Sequence, residues 1–162
     1  LRVLSDILEA VDRGDVAALV LLDLSAAFDT VDHDILLQRL QLSFGIDGAA
    51  HRWFRSYLTD RTQFVRRGLL KSAVSRLLFG VPQGSVLGPI LFVLYTADLI
   101  ALIEHGGLLP HLYADDTQVY GSCPPTAVGA FSARLTDCVD AVASWMKSNR
   151  LQRNSHKTEI LW

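Results

Sequence analysis

Two adjacent carboxylates, Asp115 and Asp116, lie between strand-like runs in the stretch LYADDTQVY, and a third, Asp23, ends the apolar run VAALVLLD. Three carboxylates at one sheet edge would repel one another, and bound Mg²⁺, which prefers hard oxygen ligands, would remove that repulsion. In such a site Asp23 and Asp115 would be the bridging pair and Asp116 auxiliary. A surface turn and an aspartate at a helix entry explain the same residues, so neither stretch is decisive alone.

A third stretch, GVPQGSVLGP, has an unusual number of constrained residues for a plain loop ahead of an apolar helix. Glycines such as Gly84 let a backbone approach a flat ligand such as a base pair. Gln83 offers both a hydrogen-bond donor and an acceptor. The stretch therefore favours a loop that faces a ligand.

The hydrophobic pattern predicts the elements that must position these residues. In chain order they are a helix over 3–13, a buried strand over Val16–Asp23, a helix capped by Asp29 or Thr30, a helix over Gly48–Leu58, a hairpin turning at Gly68–Ser72, a buried helix from Gly88, two short strands joined at the aspartates, a long amphipathic helix over Val128–Met146 and a final strand in TEILW. This order predicts an α+β fold with helices packed on one face of the sheet. In such a sheet Asp23 would lie beside the turn at Asp115.

The composition of the chain is that of one globular domain. It has 162 residues, 50% of them hydrophobic, and a formal net charge of −2, which argues only weakly against a nucleic-acid partner. Cys123 and Cys138 are expected to be reduced and buried. The apolar segment from Val86 to Ile103 has the length of a membrane span, but Asp98 lies inside it, so we predict a core helix and no membrane partner.

Other polar clusters have plain explanations. Asp32, His33 and Asp34 are consecutive, so on a helix they point apart, and a helix start is favoured over a metal site. The histidines His105, His111 and His156 show no ligand spacing. A basic stretch with Phe64 could touch nucleic-acid phosphates, although a solvated hairpin explains it nearly as well; its cations are Arg61, Arg66, Arg67 and Lys71.

Four ordered motifs together resemble the palm of reverse transcriptases from LINE-type (non-LTR) retrotransposons. They are LVLLDLSAAFDTVDHDIL, GVPQGSVLGPILFVLYTADL, LYADDTQVY and NSHKTEIL, and they cover nearly the whole chain. The resemblance implies a polymerase palm with a ferredoxin-like antiparallel sheet over residues 1–162. Fingers that precede this region and a thumb that follows it are expected in a longer polyprotein.

The resemblance also implies roles for individual residues. Asp23 and Asp115 would hold two Mg²⁺ ions, with Mn²⁺ as a substitute, and Asp116 would support them. Lys157 would protonate the leaving pyrophosphate. Ahead of Lys157, Arg153 stands at a position that is apolar in the family. This difference affects the expected packing of the local strand.

The remaining implied residues would contact the substrates. Phe28 would be an aromatic gate that excludes ribonucleotides, although by itself it would be read as a core phenylalanine. Gln83 and Gly84 would line the pocket for the incoming nucleotide and the template.

The implied activity is RNA-directed DNA polymerase, a nucleotidyltransferase that uses an RNA template, a DNA primer and dNTPs, and nuclear action inside the cell is expected. The alternative is a catalytically silent palm fragment that acts at most as a nucleic-acid or protein binding module. An RNA-templated RNA polymerase is disfavoured by Phe28, and a nucleotide cyclase by the loop around Gln83.

Overall fold

The structure is a computed structural model that describes residues 2–154 and 157–162. The helices are α1 (Arg2–Asp12), α2 (His33–Leu42), α3 (Gly48–Leu58), α4 (Leu87–Thr96), α5 (Asp98–His105) and α6 (Val128–Ser148). The strands are β1 (Val16–Leu22), β2 (Leu24–Ser25), β3 (Thr62–Gln63), β4 (Arg66–Arg67), β5 (Leu70–Lys71), β6 (Ser75–Arg76), β7 (Leu109–Tyr113), β8 (Asp116–Cys123), β9 (Gln152–Arg153) and β10 (Glu159–Leu161). Short 3₁₀ turns cover Ala27–Asp29 and Pro125–Ala127.

The chain divides into two compact units. The first combines the residues up to Ala27 with Thr96–Trp162, and the second is Phe28–Tyr95. The predicted α+β class with an antiparallel sheet is confirmed, and so are the predicted helices over 3–13 and Val128–Met146, the hairpin at the aspartates and the final strand.

The first unit is built on a four-stranded antiparallel sheet in the order β10-β1-β8-β7. The continuous apolar run of β1 suits a central position, because such a strand is covered on both faces. Val20 and Val119 lie opposite each other and are fully buried. The long helix α6 supplies the matching apolar stripe, with its buried side chains at helical spacing: Phe131, Leu135, Cys138, Val142 and Met146.

The two faces of this sheet carry different helices. A Cβ at Gly121 would lie 3.3 Å from the Phe131 ring, so α6 packs on that face as predicted. Its neighbour Tyr120 points to the other face, where its hydroxyl donates to Asp6 of α1 at 2.6 Å. Burial, together with this hydrogen bond to the Asp6 carboxylate, raises the pKa of Tyr120 above its ordinary value. Helix α1 is therefore an addition to the predicted arrangement of helices on one face.

Both cysteines are free and buried, as expected. Burial raises the pKa of the Cys138 thiol, so it stays protonated at neutral pH.

The predicted cap of α2 is wrong. Asp32, and not Asp29 or Thr30, occupies the N-cap, and its carboxylate accepts hydrogen bonds from the amides of Asp34 and Ile35 at 3.0 and 3.1 Å. The predicted helix start within DTVDHD is confirmed. His33 is buried, and its Nε2 lies 2.8 Å from the carbonyl oxygen of Gly80, so it serves the packing of the second unit.

The apolar segment predicted as one buried helix is interrupted at Ala97, between α4 and α5. Taken together, Leu87–His105 is long and apolar enough to cross a membrane by length and composition, and 39% of its most apolar window is buried. A core helix passes the same criterion, so the predicted core role stays a prediction.

Gly80 joins two parts of the second unit. Its φ is +89°, and a Cβ there would lie 2.9 Å from the Asp29 Cα and 3.0 Å from the Phe28 carbonyl oxygen. Its amide donates to the Val31 carbonyl at 2.8 Å, and the Val81 amide donates to Phe28 at the same distance. This contact between the Phe28 segment and the glutamine loop requires glycine for both its conformation and its space.

We expect Gly80→Ala to lower the free energy of unfolding by at least about 2 kcal/mol, because backbone strain and a backbone clash add. Urea unfolding would measure the change. The matched control is Gly84→Ala in the same loop, where φ is +76° and nothing lies within 4 Å of the added carbon. Equal losses in the two variants would contradict the close contact at Gly80.

Candidate active site

The sheet brings four polar side chains together at one of its ends. Leu22 pairs with Thr117, so continuing the β1–β8 register by one residue places Asp23 opposite Asp116. Asp116 in turn pairs with Tyr113 on β7. On the other side of β1 the β1–β10 register ends at Leu21 and Glu159, and Lys157 reaches Asp23 through its side chain, with Nζ 3.6 Å from Asp23 Oδ2. These residues lie at one end of the sheet and are named the site row below: Lys157, Asp23, Asp116 and Tyr113.

The site row lies on the sheet face opposite to Leu22 and Thr117, whose side chains are buried. Successive residues of a strand point to opposite faces, so burial of these two neighbours directs Asp23 and Asp116 away from the core. Asp116 is exposed, and the side chain of Asp23 is 27% exposed. The predicted approach of Asp23 to the aspartate turn is confirmed by this register.

A two-residue turn, Ala114 and Asp115, joins β7 to β8. Ala114 has a φ of +53°, and Asp115 is not among the residues with positive φ, which is the pattern of a type II′ hairpin. A residue other than glycine held at a sparsely populated positive φ costs on the order of 1–3 kcal/mol. The turn therefore holds Asp115, which is half-buried, one residue before Asp116.

An open cavity of about 400 Å³ lies over the site row. Its lining consists of Leu21, Leu22, Asp23, Asp116, Thr117, Gln118, Lys157 and Glu159. Lys157 Nζ lies 3.6 Å from Asp23 Oδ2, and the lysine side chain is 68% exposed. The cavity thus combines carboxylate oxygens with an ammonium group that remains open to solvent.

Arg153 does not disturb the segment that carries Lys157. It pairs with Leu24 in the short β2–β9 ladder, and the amide of Asn154 donates to the Asp23 carbonyl at 2.9 Å. The short strand pairing at Arg153 is therefore present despite its polar side chain.

The donor set of the cavity fits Mg²⁺. Asp23 and Asp116 supply carboxylate oxygens, and Mg²⁺ commonly binds through one or two carboxylates together with water and substrate phosphates. Within residues 2–154 and 157–162, no group of three or more histidine, cysteine or acidic side chains forms a ready-made metal cluster. In the described lining Asp116 and not Asp115 accompanies Asp23, and the predicted division of roles between the two stays a prediction.

The predicted substrate-contacting residues lie in the second unit. Phe28 is half-exposed, and its ring contacts Phe92 with centroids 4.9 Å apart. Gln83 Nε2 donates to Asp29 Oδ1 at 2.9 Å, which ties the glutamine loop to the residue after Phe28. Gly84 has a φ of +76°, a conformation that favours glycine, and no atom lies within 4 Å of the position that a Cβ would take.

Sequence reasoning missed Gln118 and Glu159, which line the cavity beside the site row. The strand period could have found Gln118, because it lies two residues after Asp116 and so on the same face. Glu159 pairs with Leu21 at the sheet edge, a relation that only the β1–β10 register provides.

The family model described as reverse transcriptase (RNA-dependent DNA polymerase) matches residues 3–162. The chain belongs to the reverse transcriptase family. The resemblance to non-LTR elements is confirmed by relatives from Drosophila melanogaster. The RNA-directed DNA polymerase from mobile element jockey is 30% identical over 96% of this chain and 17% of its own length. The probable RNA-directed DNA polymerase from transposon BS is 34% identical over 97% of this chain and 17% of its own length.

Solved telomerases share the fold of this reverse transcriptase chain. Apo telomerase from Candida tropicalis, truncated from its C-terminal domain, has a TM-score of 0.71 with 16% identity, over 99% of this chain and 34% of that one. Telomerase from Candida albicans in complex with a fragment of telomeric RNA also has a TM-score of 0.71, with 15% identity, over 99% of this chain and 31% of that one. The predicted polymerase palm is therefore confirmed as the fold.

We expect Asp116→Asn to raise the free energy of unfolding in metal-free buffer by about 0.2–1 kcal/mol, because like charges directly opposite on paired strands are destabilising. Urea unfolding in EDTA would measure it. Asp140→Asn, which removes one exposed carboxylate from α6, is the control. A gain that is equal in both variants would mean that net charge, and not the Asp23–Asp116 pair, is responsible.

Proposed function

We propose that this chain is the palm of an RNA-directed DNA polymerase that transfers a nucleotide from a dNTP to the 3′-hydroxyl of a DNA primer on an RNA template. The observation that supports it most is the site row, which sets two opposed carboxylates beside a lysine in a reverse transcriptase chain. The chain spans 17% of the length of the relatives described above. Fingers and thumb regions would come from other parts of a longer polyprotein.

Asp23 and Asp115 would hold two divalent cations, and Asp116, which lines the cavity beside Asp23, would support them. When bound, two Mg²⁺ ions supply activation of the attacking hydroxyl and charge neutralisation of the leaving pyrophosphate. The fixed register between β1 and β8 sets the carboxylate positions before substrate arrives, so little reorganisation is needed at the moment of reaction.

Lys157 would act as the proton donor to the leaving pyrophosphate. Its Nζ is 3.6 Å from Asp23 yet mostly exposed, so the ammonium group is held at the cavity and remains accessible to a phosphate. A charge-assisted hydrogen bond from ammonium to phosphate oxygen is among the stronger polar contacts. The proton would move from Nζ to the oxygen that leaves with pyrophosphate.

Phe28 would select the deoxyribose sugar, and Gln83 with Gly84 would contact the incoming nucleotide and the template. The contact at Gly80 and the Gln83–Asp29 hydrogen bond support this assignment, because together they fix the Phe28 segment to the glutamine loop. The half-exposed ring of Phe28 is available to a ligand on one side. We also propose that the enzyme acts in the nucleus, as is expected for the family.

RNA-templated primer extension with dNTPs and Mg²⁺ tests the proposal. We would assay this chain alone and a fusion that adds fingers and thumb from an intact relative. We expect the fusion to extend the primer. Its Asp115→Asn and Asp23→Asn variants should lose at least about 100-fold in extension activity, because each loses a carboxylate that would hold a cation at the reacting phosphate. The Phe28→Ala fusion is expected to retain extension and to admit ribonucleotides.

The Asp140→Asn fusion is the matched control and should extend normally, because that carboxylate lies exposed on α6. Circular dichroism would confirm that each variant is folded. A folded fusion that never extends a primer would contradict the proposed activity and favour the silent binding module. Unchanged sugar selectivity in Phe28→Ala would contradict the gate alone.

A further inference from the structure

A strongly basic hairpin occupies residues 61–79 of the second unit. Five of the fifteen lysine and arginine residues of the chain lie in it, and none of the seventeen acidic residues does. The cations are Arg61, Arg66, Arg67, Lys71 and Arg76. The net charge of the chain is −2, so this positive segment contrasts with an acidic remainder.

Two short antiparallel ladders build the basic hairpin, with β4–β5 at the tip and β3–β6 nearer its base. Arg66 pairs directly with Lys71, so two like charges share one face of the tip ladder. Such a pair is destabilising by about 0.2–1 kcal/mol when nothing compensates it. An anion bound between the two would reverse the sign of that contribution.

Four of the five cations are exposed, whereas Arg61 is half-buried and donates to the Gly80 carbonyl at 2.9 Å. Every residue from Thr62 to Arg76 is exposed, so the hairpin contributes little to the core of its unit. Lys71 lies over the Phe64 ring at 3.8 Å, and Arg66 Nε donates to the Gly68 carbonyl at 3.2 Å. These contacts hold the cations in place and neutralise neither, because their partners are an aromatic ring and a backbone carbonyl.

We propose that the basic hairpin binds the phosphate backbone of the template–primer, independently of its sequence. The identity of that nucleic acid rests on the proposed polymerase function. A segment with five cations and no carboxylate is complementary to a continuous line of phosphates, where each neutralised phosphate releases counterions. One face of the Phe64 ring is covered by Lys71, and its other face suits stacking on an unpaired base of the template.

An acidic protein surface is the competing partner. The tip carries Leu69, which is 98% exposed, and Leu70, which is also exposed. Val65 and Val74 are exposed as well, so apolar side chains are interleaved with the five cations, and the hairpin contains no carboxylate that would offset their charge. Nucleic acid is the partner with the matching density of negative charge.

The test is equilibrium binding of a fluorescently labelled RNA–DNA hybrid with a single-stranded RNA overhang, measured by anisotropy over a series of KCl concentrations. The test variant replaces Arg66, Arg67 and Lys71 by glutamine. We expect its affinity to fall on the order of tenfold or more, and the slope of log affinity against log salt to fall by up to about 3. The three residues are exposed, so the fold should be preserved.

The control variant replaces three exposed cations outside the hairpin, Arg52, Arg55 and Lys147, by glutamine. It carries the same change in net charge and should keep most of the affinity and slope. Equal losses in both triple variants, an unchanged affinity in the test variant, or no binding by the original chain would each overturn the proposal. Asp115→Asn should bind normally while its fusion fails to extend, so loss of binding and loss of catalysis are distinguishable.

Discussion

Hydrogen bonding between β1 and β8 in a single register, with Leu22 opposite Thr117, underlies the other features of the candidate site. Val20 pairs with Val119 on the same buried face, and exposing this set to water would cost the apolar burial of both strands. A slip by one residue would turn every side chain to the opposite face. The core therefore selects the register, and the register places Asp23 opposite Asp116.

The same arrangement contains unfavourable features that the fold tolerates. Asp23 and Asp116 directly follow and precede the paired residues Leu22 and Thr117, and Lys157 forms its ion pair with Asp23. Ala114 and Ala26 both have positive φ, at +53° and +50°, close in sequence to the site carboxylates. Strain of this kind persists only where the surrounding structure over-determines it, and it often marks a functional site.

Much of the sheet could be predicted because local pattern and tertiary position agree in it. The apolar run of β1, the alternation after Asp116 and the helical stripe of α6 each indicate one structure. The meeting of Asp23 with the aspartate turn followed from an antiparallel sheet. The family motifs then indicated Lys157, whose place beside Asp23 depends on backbone bonds through Asn154.

The remaining features depend on contacts between residues far apart in sequence. Asp29 and Asp32 are equally able to cap a helix, and Asp32 does so because backbone contacts from Gly80 and Val81 hold the preceding turn. The crowding at Gly80 has no local signal in the sequence. The same holds for Glu159, which reaches the cavity only through the β1–β10 register.

The cation site formed by Asp23 and the adjacent aspartate pair is tested most directly by Mn²⁺ titration followed by NMR. Paramagnetic broadening should begin at the amides that flank the site row, Leu22 and Thr117, and should be strongly reduced in both Asp23→Asn and Asp115→Asn. Broadening that is unchanged in these two variants, or that begins elsewhere on the chain, would contradict the account.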